Sequence, residues 1–295
     1  APTRPALPKV SDETWARTDL DRFVLSRLDQ EGLKPSSPAD KYTLIRRVYL
    51  NLIGLPPSVE AVDAFIADTG TGAYETMVNQ VLASPRFGEH WARAWLYLAR
   101  YADTKGYEKD ERRTIWPYRD WVIDAFNRDL PFDQFTIEQL AGDLLPEADM
   151  NQKIATGFNR NHGTTDEGGL IEEEYRVEYV VDRVKTTGNV FLGLSMECAQ
   201  CHSHKYDPVS QKEYYQFFAF FNNNADKGKQ SRGGNAPPMV DVILPSKLKQ
   251  RKEAEAKIKA ANQNLAERKK NAAADFEKWA VEAAKKIGDQ PKEPT

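Results

Sequence analysis

The sequence predicts an all-α domain of many short helices, followed by a helical spacer. Three observations carry that expectation. Apolar residues recur mostly at helical spacing, and runs of apolar–polar alternation are scarce. Thr18 with Asp21, and Ser210 with Glu213, form capping-box patterns directly ahead of apolar stretches. Gly and Pro punctuate the chain at intervals that leave short connections.

Residues 1–14 read as a linker, with "APTRPALPKV" lacking the charged and apolar regions of a signal peptide. The Thr18 cap opens a helix whose Leu20, Phe23, Val24 and Leu28 form one stripe, ended by Gly32 and Pro35. A second helix starts near Ala39, carries Leu44, Ile45, Val48 and Leu52, and stops at "GLPP". Further helices are expected over 59–67, 73–83, 88–101, 116–128 and 132–140. The stretch "IEEEYRVEYVVDRVKTT" then sets Val177, Val180, Val181 and Val184 on one face, and its opening glutamates sit where the helix dipole favours negative charge. Behind the Ser210 cap, Tyr214, Phe217, Phe218 and Phe221 share a face.

Composition changes after Phe221. Residues 15–225 therefore read as the helical body, 226–245 as a polar, Gly-rich linker, 246–288 as a helical spacer rich in Ala, Lys and Glu, and 289–295 as a flexible tail. The few apolar residues of the spacer, Leu248, Ile258, Leu265, Phe276 and Trp279, make too thin a stripe for a core of their own.

Charge and length exclude several function classes. There are 41 Lys and Arg against 44 Asp and Glu, a net charge of -3 with no basic arm, so nucleic acid is not an expected partner. No apolar run approaches the roughly 18 residues of a membrane span. No Ser-His-Asp order, phosphate loop or H-E-x-x-H motif points to a hydrolase. The two cysteines allow at most one disulfide, which excludes a disulfide-stapled scaffold and leaves their spacing to decide their role.

That spacing is specific. In "ECAQCHSHKYDP", Cys198, Cys201 and His202 fit C-x-x-C-H, the pattern for covalent attachment of one c-type haem. On a helical turn, positions i, i+3 and i+4 share a face, so both thiols reach one porphyrin edge while the His202 imidazole, a good axial ligand, points at the iron. Three other readings compete. A structural zinc site usually separates its histidines as H-x3-5-H, whereas His202 and His204 are one residue apart. A thioredoxin-like pair wants a βαβ context that a helical chain does not offer, and inert cysteines are the third reading.

The chain resembles the planctomycete cytochrome c domain of the second type, a domain of otherwise unknown function in large exported proteins. The resemblance covers roughly residues 15–225 and rests on "DLDRFVLSRL", "LIRRVYLNLIGLPP", "WARAWLYLARYADTKGYEKD", "WPYRDWVIDAFNRDLPFDQFTIEQLAGDLLP", "DEGG", "EYRVEYVVDRVKTTGNVFLGL" and "CAQCHSHKYDP". It implies a haem protein outside the cytoplasm, periplasmic or at the cell surface, in bacteria that export many carbohydrate-degrading enzymes. It also implies that the Lys- and Ala-rich tail begins a connector in a longer chain. It supplies no sixth iron ligand, because the positions of His162 and His90 vary among similar sequences.

Within this chain the candidates for that ligand are His162, His90, Met77, Met150, Met239, a lysine, water or nothing, with His162 preferred for its place in a glycine-flanked loop. Asp103, Glu108 and Glu167 are candidate catalytic carboxylates, and Asp166, His204, Tyr206 and Asp207 lie near the motif in sequence. Arg100 and Arg119 suit pairing with haem propionates. Two functions follow. One is an electron-transfer cytochrome serving a redox partner protein or a downstream domain of a longer chain. The other is a haem-dependent oxidoreductase acting on carbohydrate, and a third, non-catalytic reading is a surface scaffold.

Overall fold

The computed structural model describes residues 3–107, 109–230 and 233–288. Glu108 and the expected tail at 289–295 lie outside the described residues. The chain divides into two compact units, Ala1–Ala236 and Pro237–Thr295. Both are helical, with no strand among the described residues and two isolated bridges, Thr104 with Arg112 and Thr165 with Lys229.

The first unit begins with α1 (Asp19–Gln30), where Thr18 and Asp21 close the expected capping box. The stripe expected on this helix is not its buried face: Leu25 is buried, while Leu20, Phe23 and Val24 are exposed. Helices α2 (Lys41–Ile53), α3 (Val59–Ala67) and α4 (Ala73–Leu82) follow, the first two capped by Asp40 and Ser58. Ile45, Val48, Phe65, Met77 and Val81 from these three helices form one apolar core.

A second core is built by α5 (Arg86–Leu98), α6 (Trp116–Asn127), α7 (Phe132–Ala141) and α8 (Met150–Ala155). Trp95 sits edge-on to Phe135 at 4.7 Å between ring centres, and its Nε1–H donates to Gln139 Oε1 at 2.8 Å. The buried Tyr118 hydroxyl donates to the same oxygen at 2.7 Å, so Gln139 partners both of these polar tips, while Trp121 Nε1 in the same core is buried without a partner. α5 stops at Leu98, three residues before the expected end, and Arg100 two positions on has φ 56°, outside the right-handed helical region.

The third core carries the cysteine motif. Helix α9 (Glu172–Thr187) runs into a single π turn, Gly188–Leu192, and then a 3-10 turn, Met196–Gln200. α10 (Gln211–Phe221) follows, capped by the expected Ser210–Glu213 box. Val180 and Val184 of α9, Met196 and Ala199 of the 3-10 turn, and Tyr214 and Phe221 of α10 are buried together. Val190 and Phe191 of the π turn pack instead on the second core, which ties the two cores together.

Residues 226–236, expected as the start of a linker, belong to the first unit. Asp226 and Gln230 are buried there, and Asn235 exchanges hydrogen bonds with the backbone of Thr114. Ion pairing of Asp226 holds this segment on the helical body, an interaction that a polar composition does not reveal. In the second unit, α11 (Leu248–Gly288) is one long helix whose Leu248, Ile258, Leu265, Phe276 and Trp279 are all exposed. No helix among the described residues is long and apolar enough to cross a membrane.

Candidate functional site

The 3-10 turn at Met196–Gln200 explains how the motif is displayed. In 3-10 geometry, side chains at i and i+3 eclipse one another. Met196 and Ala199 therefore share the inward side and are buried, while Cys198 and Cys201 share the outward side and are exposed. The turn closes on Cys198 O, which accepts from the N–H of Cys201 and, at 3.5 Å, from that of His202. Below it, Gly188 sits where any Cβ would overlap the Met196 side chain, so glycine lets the chain close over Met196. Lys185 reaches Glu197 at 3.0 Å, a further tie between α9 and the turn.

Both thiols are free, and His202 is exposed beside them. His202 Nδ1 lies 2.9 Å from Ser203 O, so that nitrogen carries the proton and donates. Nε2 is then the nitrogen left with a lone pair for a metal. The other histidine of the turn organises it. His204 Nδ1 accepts the backbone N–H groups of Tyr206, at 3.2 Å, and Asp207, at 2.8 Å, which puts its proton on Nε2, 3.6 Å from Asp207 Oδ2. Tyr215, half exposed on α10, donates its hydroxyl to Gln200 O at 3.2 Å. These residues fit a covalently attached haem in donor chemistry and exposure. Among the described residues, no group of three or more His, Cys, Asp or Glu side chains is placed to hold a metal ion.

His162 is placed elsewhere. It is buried, its ring stacks on Tyr179 at 4.6 Å, and both nitrogens are engaged. Nδ1 donates to Gly163 O at 2.9 Å, and Nε2 accepts from Arg183 Nη2 at 2.9 Å. Burial, reinforced by the Arg183 guanidinium, holds the imidazole well below its ordinary value and keeps it neutral. Neither nitrogen is left free, and the ring, expected as distal ligand, lies on the Tyr179–Arg183 side of α9, whereas Val180 and Val184 pack under the motif.

Around His162 lies a polar network that sequence reasoning missed. Arg183, 1% exposed in its side chain, pairs with Asp226, which also pairs with Arg160. Arg183 Nε donates to Asn159 O at 2.8 Å, and Arg113 spends its donors on the carbonyls of Ala102, Arg160, Asn161 and His162. The Tyr179 hydroxyl accepts from Thr165 N and donates to Gly228 O, stapling the loop and the 226–236 segment to α9. Arg160 and Arg183 were the only hint in sequence, and their shared acid partner, Asp226, lay in the expected linker.

The remaining candidates scatter. Asp103 is exposed and accepts from the Tyr101 hydroxyl at 2.5 Å, and Glu167 is exposed in the loop, its N–H on Thr165 Oγ1. Arg100 pairs with Asp182 and Arg119 with Asp120. Met77 is core, Met150 and Met239 are exposed, and His90 packs against Gly54.

Residues 19–226, more than half of the chain, match the family described as "PSCyt2: Protein of unknown function (DUF1549)". The chain belongs to the PSCyt2 family. No curated protein and no solved structure matches it. The PSCyt2 segment ends on Asp226, so it takes in the cysteine motif and both ends of the buried arginine–aspartate pairing.

Proposed function

We propose that this PSCyt2 domain is an extracytoplasmic c-type cytochrome that relays single electrons through one haem, bound by thioether links to Cys198 and Cys201 with His202 as axial ligand. The observation that carries the reading is the display of two free thiols in line on one 3-10 turn, beside an imidazole whose Nδ1 proton is tied to Ser203 O. Bound haem supplies one-electron chemistry at the iron. The chain's own residues hold and orient it: Met196 and Ala199 anchor the turn, Ser203 O fixes the His202 tautomer, and His204 shapes the loop that follows.

Exposure of the turn favours relay over substrate oxidation, because a partner protein reaches such a site directly, while Asp103 is committed to Tyr101 rather than held over the turn. An exposed C-x-x-C pair in an oxidising compartment also invites a disulfide, a fate that thioether links prevent. The partner is a redox protein or a downstream domain of a longer chain. Intact mass of natively matured protein should exceed the polypeptide by one haem, and Cys198→Ala with Cys201→Ala should remove the increment. An unchanged mass in natively matured protein refutes the assignment.

A further inference from the structure

Arginine keeps its charge in proteins, so a buried guanidinium needs both hydrogen-bond acceptors and a counter-charge. Arg100, Arg113, Arg160 and Arg183 converge around the loop at 159–163 and α9. Among the described residues only two carboxylates, Asp182 and Asp226, form ion pairs with these four. His162 offers no negative charge, since its Nε2 accepts from Arg183 as a neutral ring. Asp103 and Asp110 act on Arg113 through space, which leaves Asp182 and Asp226 as the ion-pair partners of Arg100, Arg160 and Arg183, three cations to two anions.

Donors are also left over. Arg183 Nη1 and Arg100 Nε are buried without a hydrogen-bond partner, and so is Thr187 Oγ1. Thr187 lies one helical turn beyond Arg183 on the same face of α9. Arg100 reaches that helix through Asp182, the residue before Arg183. We propose that Arg183, Thr187 and Arg100 form a binding site for one small oxyanion, a carboxylate, sulfate or phosphate.

The chemistry favours an oxyanion over water. A water molecule satisfies donors but leaves the excess charge, whereas an oxyanion accepts from two guanidiniums and a hydroxyl and neutralises them. Burial, followed by the charges of Arg113 and Arg183, pulls the Arg100 guanidinium down to about 10, which is the electrostatic stress an anion relieves. Entry is from the Arg100–Asp182 side, where the two side chains are 32% and 33% exposed, against 1% for Arg183.

The test uses the full 295-residue chain, titrated calorimetrically with sodium sulfate, sodium phosphate and sodium acetate against sodium chloride at matched ionic strength. Saturable binding of one equivalent is expected, with a melting temperature about 5–10 °C higher at roughly hundredfold excess over Kd. Preference for sulfate and phosphate assigns a tetrahedral oxyanion, and preference for acetate a carboxylate; either supports the site. Thr187→Val, which keeps shape and removes the hydroxyl, should weaken binding roughly fivefold to tenfold, and Arg100→Gln more. No saturable binding beyond the chloride control overturns the proposal, as does unchanged affinity in folded Thr187→Val and Arg100→Gln.

Discussion

Asp226→Asn tests whether the segment at 226–236 is held by buried charge. Asn keeps the shape of Asp, so no cavity forms and the change isolates one negative charge. In the native chain that carboxylate is 3% exposed and faces both Arg160 and Arg183. Removing one partner of a buried ion pair costs about 3–5 kcal/mol, because the remaining charge stays desolvated and unpaired. Here two guanidiniums lose their partner, and Arg183 has almost no solvent to turn to. The upper half of that range is therefore expected. For a domain of this size, each kcal/mol moves the melting temperature by about 2–4 °C, which places the variant about 8–20 °C below the parent. Differential scanning calorimetry of the full chain reads this directly, with a urea midpoint as a second measure. Asp124→Asn is the control: its pair with Arg128 joins side chains 67% and 46% exposed, and its loss should cost under about 1 kcal/mol. A loss for Asp226→Asn no larger than for that control refutes the reasoning.

Two more predictions concern the same network. His162 is buried neutral, with its folded pKa depressed below the ordinary value of about 6.5, so the unfolded chain binds a proton that the folded chain does not. Its contribution is present above about pH 6.5 and lost as pH falls below it, by about 1.4 kcal/mol per pH unit; urea midpoints across pH 4.5–7.5 should show this slope, and His162→Gln should remove it. Gly228→Ala places a Cβ on the carbonyl oxygen of Glu172 and close to the Arg176 N–H, both backbone atoms at the start of α9. The segment must lift, breaking the Tyr179–Gly228 bond, and amide exchange at Gln230 should rise at least tenfold; unchanged protection at Gln230 contradicts this packing.

What the sequence made legible is mostly what is local. Caps at Thr18 and Ser210 were read correctly because a capping box is closed within four residues. The turn that displays Cys198 and Cys201 is also local, but it is a 3-10 turn where a helical turn was expected. The stripe of α1 was misread because periodicity reports that a helix has an apolar side but not which side meets a partner. Helix α8 was passed over although Asp149 and Gln152 form a capping box, since its six residues are too few to show a period. The arginine network was illegible for a different reason. Arg183 pairs with Asp226 across 43 positions and Arg160 with Asp226 across 66, and in sequence each looks like an ordinary solvated charge. Composition then assigned Asp226 to a linker, where a single buried carboxylate among asparagines and glycines carries no weight.

Helix α9 joins what was legible to what was not. Tyr179 and Arg183 lie one turn apart and hold His162, Asp226 and the 226–236 segment. Val180 and Val184, also one turn apart, hold Met196 and Ala199 beneath the cysteine motif. A shift of α9 large enough to unseat one set moves the other, because both are carried on a single helix of 16 residues. Polar networks in a low-dielectric interior are directional, and they tolerate displacement less well than apolar contacts do. The buried arginines thus fix the position of α9, and α9 fixes the level at which Cys198, Cys201 and His202 stand out from the surface. This accounts for a charged network in the interior of a domain whose two cysteines lie on its exterior. A loosened network should be felt at the thiols before it is felt in the cores of α2–α4, which share no residue with it.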